Sequence, residues 1–276
     1  MRIISLIENV MGNPECEFEH GLSLYIETKK HKLLMDTGCT NKFLDNAKKL
    51  NVPLEELDAV MLSHGHYDHG GGMLELSKIN TSVPIYIREN AFHDFYHGWD
   101  ETKRYIGLDK RIADLKQIQY IHQNTKIDEE LYLFTNVTSR TLWPSGNYDL
   151  TVEKDGVIMQ DDFSHEQYLV ISSSGKNILI SGCAHNGILN ILEEYKNIFS
   201  DEPDIVVSGF HMMKKNGYQK EDIEIIEQTA QKLKEYKTKF YTCHCTGEEP
   251  YERMKQIMGD QIEYIRSGEE ILFDEE

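Results

Sequence analysis

Ser63-His64-Gly65-His66-Tyr67-Asp68-His69-Gly70 places four potential metal ligands within six residues, directly after the apolar stretch 59–62. With 59–63 as a strand, His64 and His66 project to one side, because side-chain direction alternates along extended backbone. Asp68 and His69 follow where the chain turns, so they can aim at a second point nearby. Imidazole and carboxylate suit zinc, iron or manganese, and one open coordination position per ion leaves room for chemistry. Single loop histidines are common. This density at this spacing after an apolar strand is the pattern of a metal-binding loop. Gly70-Gly71-Gly72 closes it and opens a helix marked by Met73, Leu74, Leu76 and Ile79, whose first amides can receive an anion.

Outward from this loop, strand-like and helix-like segments alternate. Segments 23–27 and 32–35 form an expected hairpin. Phe43, Leu44, Ala47 and Leu50 recur at helical spacing, with Pro53 as a stop. Segments 83–88, 167–172, 177–181 and 204–208 are apolar and β-branched, bounded by Gly, Asp or Ser. Helical periodicity marks 188–199 and 221–236, a strand 239–242, a helix 251–258, and a last strand 263–266. The alternation predicts an α/β fold, α+β in some schemes, as one domain over 1–276. The stretch 91–146 departs from it, with scattered aromatics and no clean strand pattern. Within it, residues 103–126 carry six Lys/Arg and two acids, Asp109 and Asp114. It is expected to be an insertion, either a solvated excursion or a lid offering Lys103 and Arg104 to an anionic substrate.

Composition limits the partners. Among 276 residues, 29 Lys+Arg stand against 47 Asp+Glu, a net charge of −18, which opposes phosphate-backbone binding and adhesion to anionic membranes. No apolar run is long enough to span a bilayer. The opening residues, 1–6, lack signal-peptide features, so a cytoplasmic location is expected. Five cysteines, Cys16, Cys39, Cys183, Cys243 and Cys245, are an odd count that suits thiol or metal roles better than disulfides. Cys243-His244-Cys245 has no second Cys pair, which argues against a structural zinc ribbon. His31, His93, His97 and His122 lack a spacing argument and are expected at the surface.

His-x-His-x-Asp-His after a strand resembles the signature of the metallo-β-lactamase-fold superfamily, and the resemblance runs along nearly the whole chain. It implies a four-layer αββα sandwich. Leu33-Leu34-Met35-Asp36-Thr37-Gly38 is similar to the first motif, which makes Asp36 an anchor for the histidine loop rather than a ligand. Ser164-His165-Glu166 and Thr242-Cys243-His244 resemble the third and fifth motifs. At the fourth, where most members carry a bridging aspartate, this chain has Gly182-Cys183-Ala184-His185, with Cys183 at the family position and His185 as competitor. The resemblance thus implies two divalent ions, zinc first, with iron or manganese as alternatives. His64, His66 and His165 would hold one and Asp68, His69 and His244 the other, with Cys183 between. Finer features, including His20-Gly21-Leu22-Ser23 and Gly209-Phe210-His211, resemble a branch named for dihydropterin–ribofuranosylaminobenzene phosphate synthase. That likeness gives His211 a substrate-contact or proton-transfer role, beside Asp68, and His20 a place at the mouth of the site.

The expected function is a metal-dependent hydrolase that activates water against a small anionic substrate, a phosphoester first. Alternatives are a pterin-related synthase condensing a phosphorylated substrate, and a non-catalytic metal or ligand sensor. The sequence leaves substrate, native metal and oligomeric state open.

Overall fold

The computed structural model describes residues 1–273. Two seven-stranded sheets lie face to face with helices on both outer surfaces. The first runs Glu270–Leu272, Arg2–Ile7, Ser23–Glu27, Lys32–Met35, Ala59–Met61, Ile85–Arg88, Ile118–Ile121. The second runs Ile262–Tyr264, Lys239–Thr242, Ile205–Ser208, Lys176–Ile180, Gln167–Ser173, Leu131–Thr135, Thr125–Lys126.

Continuous apolar runs are needed here because each central strand is buried on both faces, and period-two alternation sorts its residues between two cores. Ile3, Leu33, Met35, Ala59 and Met61 pack between the sheets against Leu169, Ile171, Ile178, Ile180 and Val207. Their neighbours Ile4, Leu6, Leu34, Val60 and Leu62 face the other way. There they meet Phe43, Leu44 and Ala47 of helix Lys42–Lys49 and Met73 and Leu76 of helix Met73–Ile79. On the opposite side Tyr168, Val170, Leu179 and Val206 pack on helices Ile188–Phe199, Lys220–Leu233 and Glu248–Met258. Helix, sheet, sheet, helix: the four-layer α/β sandwich is the observed fold.

The stretch 91–146 is not one excursion. Ile118–Ile121 pairs in parallel with Ile85–Arg88 and ends the first sheet, while Leu131–Thr135 pairs antiparallel with Gln167–Ser173 inside the second. Only part of the stretch stands outside the sandwich. Asp94–His97 and Arg104–Tyr105 join Leu150–Lys154 and Val157–Gln160 in a separate four-stranded sheet. Two terminal strands were not expected. Arg2–Ile7 and Glu270–Leu272 pair with each other, which closes the first sheet with both ends of the described chain.

Strand direction gathers the chemistry at one edge. Lys32–Met35 and Ala59–Met61 are parallel, as are Lys176–Ile180, Ile205–Ser208 and Lys239–Thr242. Their carboxyl ends lead into Asp36, His64, Cys183, His211 and His244 respectively. Gln167–Ser173 runs antiparallel to its neighbour, so its approach, residues 161–166, lies at the same edge.

Candidate metal centre and active site

Four imidazoles are held in a defined tautomer. His69 Nδ1 donates to Asp36 Oδ2 at 2.7 Å, and His244 Nδ1 to Asn9 Oδ1 at 2.8 Å. His185 Nδ1 donates to Asn147 Oδ1 at 2.9 Å. Both amides are fixed in orientation, because Asn9 Nδ2 donates to the His244 carbonyl and Asn147 Nδ2 to the His185 carbonyl. Ser63 Oγ donates to Asp36 Oδ2 and accepts from His64 Nδ1 at 2.8 Å. In the neutral ring each Nε2 is thereby left to offer its lone pair, and the four Nε2 atoms converge. His64 Nε2 lies 3.3 Å from His185 Nε2 and 3.0 Å from His66 Nδ1; His69 Nε2 lies 3.2 Å from His244 Nε2 and from Cys183 Sγ.

Facing lone pairs in a buried site repel unless a cation lies between them. Tetrahedral zinc at about 2.0–2.1 Å from nitrogen separates two ligand nitrogens by about 3.3–3.4 Å, close to the spacing here. The residues therefore fit two cations. His64, His185 and Cys183 would surround one, with His66 Nδ1 3.0 Å from His64 Nε2; His69, His244 and Cys183 the other, with Asp68 Oδ2 3.5 Å from His244 Nε2. Cys183 and His185 are not competitors, since both face the cluster.

The third histidine differs from the expectation. His165 Nδ1 accepts the Gly65 N–H at 2.9 Å and its Nε2 donates to Asp161 Oδ2 at 3.0 Å, so neither nitrogen offers a free lone pair. It braces the His64–His66 turn and lies with Asp161 within 4.8 Å of His66, while His185 rather than His165 groups with His64 and Cys183. Glu166 makes that possible. Its buried carboxylate accepts from the amides of His185 and Asn186, pinning the turn that aims His185. Gly182 admits close approach, because a Cβ there would stand 2.3 Å from Ser63 Oγ.

Electrostatics follow from burial. His64, His66 and His185 are driven well below the usual histidine range, first by burial and then by neighbouring histidines. For Asp68, burial opposes ionisation, but His69, His20 and His244 outweigh it and hold the carboxyl well below its ordinary value. For His69, burial opposes protonation, but Asp36 and Asp68 prevail and raise it to about 9 in the metal-free chain. Glu8 is pushed up to about 7 by burial, although it accepts from the His244 amide and Tyr264 hydroxyl. Asp36, Ala184, His211 and His244 all have positive φ, between 50° and 64°, where a side chain costs about 1–3 kcal/mol. Positive φ also occurs elsewhere, at Asn51, Asp155 and Ser200 among others, but these four lie at or beside the candidate ligands.

A cavity of about 590 Å³ opens over the cluster. His20, His66, Asp68, Cys183, His185, His211 and His244 all reach it. His20 Nε2 sits 3.1 Å from Asp68 Oδ2 at the mouth, and the His211 ring packs on His185 with centroids 4.1 Å apart. Arg104 lines the cavity, whereas Lys103 lies over the Tyr96 ring outside it. Lys110 and Arg111 are bound to Asp94 and Asp109, so the basic run contributes less than its count suggested. Lys214 and Lys215, just after His211, supply the opposite cations, Lys214 sharing its charge with Asp222 at 2.7 Å. His97, expected at the surface, also borders the cavity.

Glu8, Asn9, Asn147, Asp161, Glu166, Lys214 and Lys215 were missed from sequence. The available signal was position: Glu8-Asn9 follows an apolar run, Asp161 and Glu166 flank His165, and the lysines follow Gly-Phe-His.

Comparison with known proteins bears on the family and the fold. The model of the metallo-beta-lactamase superfamily matches residues 17–204. An uncharacterised protein of Methanocaldococcus jannaschii, MJ0448, is 32% identical over 202 residues, covering 71% of this chain and 73% of that protein. The 7,8-dihydropterin-6-methyl-4-(beta-D-ribofuranosyl)-aminobenzene-5'-phosphate synthase of the same organism is 27% identical over 293 residues, covering 99% and 97%. The solved structure of Tm1679, a metal-dependent hydrolase of the β-lactamase superfamily, has 31% identity, a TM-score of 0.82, and 99% coverage of both chains. No helix among the described residues is long and apolar enough to cross a membrane.

Proposed function

Because this chain belongs to the metallo-β-lactamase superfamily, we propose that it is a dinuclear metal-dependent hydrolase of small anionic substrates, phosphoesters first. The observation that carries the reading is the pair of converging lone-pair sets, joined at Cys183, beneath a cavity bordered by Arg104, Lys214 and Lys215. Bound divalent cations supply Lewis-acid charge and acidify an attacking water. The chain's own residues do the rest. Arg104 and Lys215 bind the anionic group, and Lys214 is oriented by Asp222 to the same end. Asp68, held ionised, orients the water through its carboxylate, with His20 Nε2 steadying that oxygen. His211 borders the same cavity and contacts the leaving group, its strained backbone and packing on His185 fixing where the ring points.

A second reading has its own support. The synthase that matches nearly the full chain points to condensation of a phosphorylated pterin substrate. A panel of phosphodiesters, phosphomonoesters, lactones, thioesters and pterin phosphates, run on metal-reconstituted protein, separates the two. Hydrolysis of phosphoesters supports the first. Turnover confined to pterin condensation replaces it with the second, and turnover of lactones or thioesters alone overturns the phosphoester assignment.

A further inference from the structure

Cys245 and His211 belong to neither converging ligand set, yet they meet Cys183 from the other side. The sulfurs of Cys183 and Cys245 and a ring nitrogen of His211 all lie within 4.8 Å of one another. All five cysteines are free, and these two are 3% and 5% exposed. His211 Nδ1 is buried with no hydrogen-bond partner. The His211 amide donates to Cys245 Sγ at 3.2 Å, an N–H to sulfur contact that favours a metal-bound thiolate. Gly209 leaves room for the sulfur, since a Cβ there would stand 2.5 Å from Cys245 Sγ.

We propose that Cys183, Cys245 and His211 form a third cation position, specific for a thiophilic ion such as zinc(II), beside the dinuclear pair. Two thiolates and an imidazole are a soft donor set, which selects zinc over manganese or magnesium. Tetrahedral zinc at about 2.3 Å from sulfur and about 2.0 Å from nitrogen needs its ligands about 3.5–3.8 Å apart, within the limit observed. Three protein ligands leave a fourth position, and all three residues border the cavity, so that position faces the substrate. An ion there adds a second point of attachment for an anionic oxygen, distinct from the reacting group. The inference rests on the dinuclear reading only through the shared Cys183 sulfur.

The test is native mass spectrometry of chelator-stripped, reduced protein titrated with zinc(II), which counts ions on the folded fraction alone. Wild type is expected to hold three ions, Cys245→Ser and His211→Ala two each. Cobalt(II) substitution gives an independent readout: Cys245→Ser loses part of the thiolate-to-cobalt charge-transfer absorbance while Cys183 retains the rest. Cys245→Ala serves if the serine variant folds poorly. Two ions in wild type and two in Cys245→Ser overturn the third position and leave the pair intact. Three ions in Cys245→Ser also overturn it. No bound ion in wild type overturns both readings.

Discussion

Replacing Asp36 by Asn isolates the carboxylate that organises the whole ligand set. Asp36 is fully buried and accepts three hydrogen bonds at 2.7 Å, from the Ser63 amide at Oδ1 and from Ser63 Oγ and His69 Nδ1 at Oδ2. An amide keeps one oxygen but turns an NH2 group toward the other two donors. Hydrogen bonds to a charged group are worth about 1.5–3 kcal/mol each, so losing two costs about 3–6 kcal/mol. His69 provides a separate measure. Its rise from the ordinary 6.5 to about 9 corresponds to about 3 kcal/mol. Because the folded value is raised, that contribution is full below about pH 6.5 and is lost as pH climbs through about 9. The melting temperature of chelator-stripped Asp36→Asn at pH 6 should therefore fall by roughly 6–24 °C, at about 2–4 °C per kcal/mol for a domain of this class. The deficit should shrink toward pH 9.5, where His69 in the wild type has lost its proton. Zinc affinity should fall by about 10–100-fold, because the tautomer of His69 is no longer imposed. An unchanged melting temperature at pH 6 together with unchanged zinc affinity would refute the reasoning.

Further outcomes follow from the same geometry. His185→Ala should lose one tightly bound ion, whereas His165→Ala should keep the ion count; native mass spectrometry reads both, and the reverse pattern would restore His165 as the ligand. Asp161→Asn should weaken metal binding by about 10–100-fold through His165 and the turn it braces, measured by competition with a chelating dye. Glu8 should make the metal-free protein lose stability as pH rises from about 4.5 to about 7, since a buried carboxyl with a raised value favours the folded state only while protonated; denaturant melts of Glu8→Gln should show that slope removed. Paired neutralisation of Arg104 and Lys215 to Ala should raise KM for anionic substrates by about tenfold or more with little change for neutral ones, measured by steady-state kinetics.

The layered fold was legible because doubly buried strands must be continuous apolar runs. Segments such as 59–63 and 177–181 announce themselves, and the matching helices show their stripes. Ile118–Ile121 and Leu131–Thr135 did not, since an edge strand and a strand inside an aromatic-rich stretch carry weaker patterns. The metal loop was legible for the same local reason: His64, His66, Asp68 and His69 lie within one turn of chain. His165 and His185 could not be told apart by position, because the choice depends on which nitrogen the fold leaves free. Gly65 and Asp161 occupy both nitrogens of one, and Asn147 only one of the other. Asn9 reaches His244 across 235 residues of sequence, a contact no local pattern encodes.

The central claim is most directly tested by the rate of aryl phosphodiester hydrolysis as zinc or manganese is returned to chelator-stripped protein, with His64→Ala alongside. The account predicts activity that rises with occupancy of the pair site and is absent from His64→Ala at every metal concentration. Full activity in the stripped protein, or no phosphoester turnover with the pair site filled, would contradict it.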